Sequence, residues 1–277
     1  MSVLTLTSAK GKKPVKYMKT NRAFTSLRKY AWLITVGIAL GGLWEPKLGL
    51  FVIGIMAGLT VTAFFNGRFW CGNVCPHGSL FDVVLLPISR NKKIPEWVKS
   101  KNFILAFFAF FAFNFGRRVY GAVATWGTFD FWDQLGFVFV ATYLIVMVVG
   151  SAAAVALNPR IWCQFCPMGT IQKGSHQLGK LTGMARKTEK KVTISQADKC
   201  VSCGKCEKTC PMQLAPYKFF DENGQFNDEN CIKCQVCVSN CPLKLLAMEK
   251  QVPHESGSSI PEVVLDQPAA WESEKTA

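Results

Sequence analysis

Apolar runs separated by basic polar stretches fill the chain from about residue 30 to residue 157. Four runs stand out, roughly at 30–44, 48–65, 103–120 and 135–157. A bilayer core takes about 20 helical residues, with a range of about 17–25. The second and fourth runs meet that length. The first is short and extends back toward Leu27. The third, "FILAFFAFFAFNF", stops at Arg117 and Arg118 and must borrow flanking residues to span. The pattern predicts an α-helical membrane protein whose four transmembrane helices form two hairpins. Beyond them the pattern breaks. Residues 172–192 read as a basic linker, 193–248 as a small polar, cysteine-rich domain, and 249–277 as a flexible tail with little periodicity. Residues 1–29 form a basic tail ahead of the membrane domain at 30–171. Its apolar start (Val3, Leu4, Leu6) precedes the basic residues, the reverse of a signal peptide's order.

Charge sharpens this picture. Charged residues make up 18% of the chain, against roughly 25% in a typical soluble protein. The net charge is +14, which suits nucleic acid or an anionic membrane face. The long Phe, Leu and Val runs favour membrane lipid as the partner and argue against nucleic acid. Residues 1–30 carry eight Lys/Arg, and the loop 66–102 carries six. The opposite ends offer only Lys47, Arg117 and Arg118. By the positive-inside rule the N-terminus, the long middle loop and the C-terminal region are cytoplasmic. Trp126, Phe129, Phe131 and Trp132 then fall on the outer side as interfacial aromatics.

The chain has twelve cysteines. On the cytoplasmic side they imply metal rather than disulfides. Eight lie in "CVSCGKCEKTCP" (Cys200 to Pro211) and "CIKCQVCVSNCP" (Cys231 to Pro242), each C-x2-C-x2-C-x3-C-P. This spacing is that of bacterial ferredoxins binding two [4Fe-4S] cubanes. Three thiolates from one tight loop reach three corners of a cube, and the fourth supplies the neighbouring cluster. The sets are Cys200, Cys203, Cys206 with Cys241, and Cys231, Cys234, Cys237 with Cys210. A structural zinc site also uses C-x2-C pairs, but needs neither four cysteines per half nor the closing prolines. The domain is therefore a small α+β ferredoxin domain. "VTI" and "LKLLAM" supply its terminal strands, and the Asn-Gly pair in "YKFFDENGQFND" supplies a hairpin turn.

The other four cysteines belong to a duplicated unit, "RFWCGNVCPHGSL" (Arg68 to Leu80) and "RIWCQFCPMGTI" (Arg160 to Ile171). Each unit follows an outside-to-inside helix, and tandem membrane repeats pack about a pseudo-twofold axis. Cys71, Cys75, Cys163 and Cys166 are thus candidates for a third, juxtamembrane iron–sulfur cluster. Two other readings stay open at this point: reduced core thiols, or a reversible disulfide within each unit. Arg68 and Arg160 either offset a cluster's charge or snorkel at the surface. Trp70 and Trp162 read as interface anchors. His77 could take a proton from quinol, or be a solvated loop residue, and Asp82 has the same status. The four helices contain no pair of histidines for a b-type haem, and the chain has no C-x-x-C-H and no G-x-G-x-x-G after a strand.

On these motifs, over roughly residues 28–248, the chain resembles the membrane-bound ferredoxin-type quinol dehydrogenase subunits of the NapH/NosR kind. The family motif is C-x3-C-P twice. Cys71–Pro76 matches it and Cys163–Pro167 is one residue short. The resemblance implies a multi-pass protein of the bacterial cytoplasmic membrane. It would carry electrons between the quinone pool and partner iron–sulfur or cytochrome proteins of an anaerobic respiratory chain. The sequence allows either direction of flow. Two cytoplasmic clusters do not by themselves cross a hydrocarbon core of about 30 Å, so a periplasmic acceptor requires a partner. The competing class is a redox sensor or an assembly factor for a respiratory metalloenzyme.

Overall fold

The computed structural model describes residues 15–128 and 130–250. The expected apolar start of the N-terminal tail, Phe129, and the tail beyond Lys250 lie outside them. Three long helices form the membrane part: α1 (Phe51–Asn66), α2 (Lys101–Val123) and α3 (Phe131–Ala156). A 3-10 turn, Pro46–Leu50, extends α1 to a continuous Pro46–Asn66 span. All three are long and apolar enough to cross a membrane. Helix α2 runs through Arg117 and Arg118, so the short third run does borrow its flanks. Leu105, Phe110, Phe113 and Tyr120, on one side of α2, are all exposed. An uncovered apolar side on a helix this long suits lipid rather than water.

The first apolar run differs from α1–α3. It is a succession of short pieces, Ser26–Tyr30, Trp32–Val36 and a π-helical turn at Gly37–Gly41. The break at Ala31 comes where the Ser79 hydroxyl inserts into the helix ladder, accepting from the Trp32 amide at 3.2 Å and donating to the Arg28 carbonyl at 2.6 Å, and the Arg28 side chain beside it is buried. The run lies antiparallel to α1. Its Arg28 end meets the chain just past α1's C-terminus. Its Gly41 end meets Leu48 before α1 begins. At the far end of the bundle, a Cβ on Gly49 would lie 2.0 Å from the Gly136 carbonyl, and one on Gly136 would lie 2.2 Å from the Pro46 carbonyl. Only glycine lets these backbones touch, as at membrane helix crossings generally.

Helix α4 (Pro167–Leu181) starts at the second Cys-Pro and carries much of the expected linker. It packs along α1. The strands β1 (Lys190–Ile194) and β2 (Leu246–Lys250) pair antiparallel, with Lys190 opposite Lys250 and Ile194 opposite Leu246. They close the ferredoxin domain, and a Phe220–Phe226 bridge flanks the Asn-Gly turn. The two halves of this domain repeat in backbone detail. Ser202 and Lys233 both have positive φ (48° and 54°). So do Gly204 and Gln235, and Gln213 and Lys244. Left-handed residues are rare outside glycine. Three matched pairs, each at the same place in its cysteine motif, show that both loops wrap the same shape.

Glu189 joins these parts. Thr188 donates to the Phe65 carbonyl at 3.2 Å, and the Lys190 amide donates to Asn66 Oδ1 at 2.9 Å, which fixes the strap against α1. Between them Glu189 accepts from Lys233 of the second ferredoxin loop at 2.9 Å. His176 of α4 lies 3.4 Å away, in charge contact without the alignment of a hydrogen bond. Burial alone would raise the Glu189 carboxyl; His176 and Lys233 outweigh it and hold it down to about 2 from the ordinary 4.5.

A carboxyl depressed in the fold adds stability above its unfolded pKa and loses it as pH falls through the folded value. Glu189→Gln should therefore destabilise the protein at pH 7 by on the order of 3 kcal/mol. The gap to wild type should close as pH drops from about 4.5 to about 2. Thermal unfolding across that range checks this, and equal midpoints at pH 7 would contradict it.

Candidate iron–sulfur centres

The two Cys units meet face to face. In each, a short helix carries the first cysteine: Phe69–Asn73 holds Cys71, and Trp162–Phe165 holds Cys163. In each, the second cysteine sits at the N-cap with Pro at the first helical position, Cys75–Pro76 and Cys166–Pro167. Proline suits that position because its missing N–H would have no partner there. The units are clasped reciprocally. Arg160 of the second unit donates to the Cys71 carbonyl at 3.2 Å. Arg68 of the first donates to the Cys163 carbonyl at 2.6 Å. Both arginines are buried, at 0% and 2% exposure, so neither snorkels to the surface.

Four thiols are brought together by this pairing. Burial raises the Cys75 thiol, and the charges of Cys71, Cys163 and Cys166 raise it further. Cys166 is pushed to about 12 by burial, then by Cys163 and Cys71. Burial raises Cys163 to about 11, with Arg68 pulling the other way. Donors aim at the sulfurs: Gln172 Nε2 at Cys71 Sγ (3.2 Å), Arg160 Nη1 at Cys163 Sγ (3.4 Å) and the Gly78 amide at Cys75 Sγ (3.5 Å). No disulfide links any of the twelve cysteines.

The charge around these thiols is lopsided. Asp82 is buried and accepts from Arg22 at 3.2 Å, from Arg160 Nε at 3.1 Å, and from Arg28. Arg28 also donates to the Cys71 and Gly78 carbonyls. Arg68 has no carboxylate, and its Nε and Nη1 are buried without partners. Three buried guanidinium groups thus share the Asp82 carboxylate, and a fourth, Arg68, is buried without one among the described residues. Buried charge without an opposite charge is strongly unfavourable. Four thiolates outweigh the charge of an iron–sulfide core and leave the whole assembly negative, which is the missing counter-charge. Ligation needs the thiolate form, and these arginines favour it. The site fits a thiolate-bound iron–sulfur group.

The ferredoxin loops assemble the other eight cysteines into two sets. The Cys210 thiol is raised to about 12 by burial and then by Cys234 and Cys231. Cys237 is raised by burial and then by Cys234, Cys210 and Cys231. A cavity lined by Cys210, Cys231, Cys234 and Cys237, with Met212, Ile232 and Phe226, lies between them. Backbone amides of Lys233 and Val236 oppose the rise at Cys231 and Cys234, as N–H donors to a thiolate do. In the other set, Cys206 is raised to about 11 mainly by burial, with Cys203 and Cys200 adding to it. Cys200, Cys206 and Cys241 pack on one apolar cluster with Val192, Ile194 and Leu246, which Cys231 and Cys237 of the set with Cys210 also join. Among the described residues no three His, Cys, Asp or Glu converge as the ligands of a single ion do; a cubane holds its thiolates apart, one on each iron.

Other expected residues fall elsewhere. Trp162 packs edge-on to Phe107 of α2 at 5.8 Å, and Trp70 lies over Gly58 of α1. His77 meets the Tyr143 ring edge-on at 4.5 Å, and its Nε2 is buried without a partner among the described residues. Burial lowers it to about 4, so it is neutral at pH 7. The sequence did not single out Arg22, Arg28 or Gln172, which reach the site from distant segments. Asp82 carried a usable signal, as the sole acid between Glu45 and Glu96.

Comparison with known proteins agrees with this geometry. A family model described as a 4Fe-4S binding domain matches residues 48–95 and 140–184, the two halves of the membrane repeat. A 4Fe-4S dicluster domain matches residues 191–242. An uncharacterized protein of Methanocaldococcus jannaschii is 26% identical over 165 residues, which is 56% of this chain and 55% of the relative. The chain thus spans about half the length of that curated relative. No solved structure matches. The two domain matches and the cysteine sets make this an iron–sulfur protein of the electron-transferring kind.

Asp82 neutralises part of the buried guanidinium charge. Asp82→Asn should cost on the order of 3–5 kcal/mol, because it strips a carboxylate from a buried ionic network. A fall in the unfolding midpoint of the purified protein checks this, and an unchanged midpoint would contradict it.

Proposed function

We propose that the protein is a membrane-bound electron carrier linking the quinone pool to partner redox proteins, in the manner of the NapH/NosR-like quinol dehydrogenase subunits. The observation that supports this most is the four-thiol site at the membrane edge, set among buried arginines and continuous with the ferredoxin domain. In this reading Cys71, Cys75, Cys163 and Cys166 hold a third iron–sulfur cluster, beside two [4Fe-4S] clusters in the ferredoxin sets. Bound clusters supply one-electron redox chemistry. The protein's own part is to hold the thiolates, offset their charge with arginine and shield the site from water.

The broken run from Ser26 to Gly41 completes a fourth crossing, since it lies antiparallel to α1 over α1's full height. The basic loops place the cysteine-bearing ends in the cytoplasm of a bacterial inner-membrane protein. Oxidation of one hydroquinone releases two electrons and two protons. Clusters held by these cysteines would supply a one-electron sink each, and the two protons would pass to solvent. His77, which directly follows Cys75 and Pro76, is the candidate acceptor for one of those protons.

Anaerobic mixing with a reduced short-chain quinol tests the proposal. The clusters of the wild type should bleach. A variant with Ser at Cys71, Cys75, Cys163 and Cys166 should keep its ferredoxin clusters and bleach at least about tenfold more slowly. Clusters that exchange no electrons with quinol or quinone in either direction would contradict the carrier and favour a sensing or assembly role.

A further inference from the structure

The two ferredoxin sets stand in unequal relation to the membrane. The loop from Ile232 to Cys234 is seated on the first Cys unit. A Cβ on Gly72 would lie 2.0 Å from the Ile232 carbonyl and 3.2 Å from Cys234 Cβ, so only glycine permits the approach. Asn73 donates to the Lys233 carbonyl at 3.3 Å, and Gln164 donates to the Met212 carbonyl at 3.4 Å. One apolar cluster contains Cys71, Cys163, Met212 and Ile232, with Cys210 and Cys234 packed against it. A single side-chain layer therefore separates the four-thiol site from the set containing Cys210 and Cys234.

Among the described residues, Cys200, Cys203, Cys206 and Cys241 are not part of that apolar cluster. Cys200, Cys206 and Cys241 pack on the terminal strands. Val201 and Leu243, beside Cys200 and Cys241, are 58% and 48% exposed. This set faces outward.

We infer that electrons pass directly between the juxtamembrane site and the cluster of Cys210, Cys231, Cys234 and Cys237, and reach the cluster of Cys200, Cys203, Cys206 and Cys241 only through it. The inference rests on the four-thiol site holding a cluster. Each step moves one electron, oxidising one cluster and reducing its neighbour, with no bond made or broken. Gly72 is a positioning residue, because its missing side chain sets the gap. The outward set is the one that exchanges electrons with a soluble partner.

Magnetic coupling between reduced clusters tests the order independently of turnover. Cys203→Ser removes the outward cluster, and Cys234→Ser removes the middle one. Both full-length variants should retain about eight irons of about twelve. After full reduction, the low-temperature electron paramagnetic resonance spectrum of Cys203→Ser should show two interacting clusters. That of Cys234→Ser should show two isolated signals. Coupling in Cys234→Ser, or its absence in Cys203→Ser, would overturn the order. About four irons in each variant would mean that the juxtamembrane cluster is absent, and would sink the order together with the reading it rests on.

Discussion

Buried positive charge is the constraint around which this protein is arranged. Arg22, Arg28, Arg68 and Arg160 are all removed from water, and Asp82 is the one carboxylate paired with them among the described residues. Such an excess stands only with a further anion nearby. The four thiols that share the same space supply it once they are ionised. The arginines also provide the joinery, because Arg68 and Arg160 each grip the backbone of the opposite unit at its first cysteine. Charge compensation and repeat pairing are thus the same set of contacts. The duplication has a purpose in these terms: one unit supplies two thiols and one clasp, and two units close the site.

The same economy holds in the soluble part. A domain of this size has little apolar core of its own. Its core cluster is lined by cysteines from both loops, with strands β1 and β2 closing it. Cluster binding and folding are therefore coupled there, as in other small metal domains. The Glu189 junction then holds that domain to α1 and α4, so the second loop presses on Gly72 instead of swinging on a free linker.

Much of this was readable from residue order. The apolar runs located α1, α2 and α3, and the C-x2-C-x2-C-x3-C-P spacing located the ferredoxin loops. The Asn-Gly pair lies at the turn between Phe220 and Phe226. These are local signals, carried by neighbours in sequence. The first run read as one helix because its composition is apolar. The break at Ala31 is made by the Ser79 hydroxyl, which comes from a segment 47 positions past Trp32. Gln172 looked like linker, yet it donates to Cys71 from a helix begun by Pro167. By sequence the two motif arginines read equally as cluster counter-charges or as surface residues, and Asp82 as a proton acceptor or a solvated loop residue. Their burial depends on pairing between segments, which no local pattern records.

The account depends on a metal cluster between the two membrane units. Iron and acid-labile sulfide per chain, on anaerobically purified protein, test that most directly beside a variant with Ser at Cys71, Cys75, Cys163 and Cys166. The account predicts about twelve irons in the wild type and about eight in the variant. About eight in both would contradict it, and the buried arginines would then need a different anion.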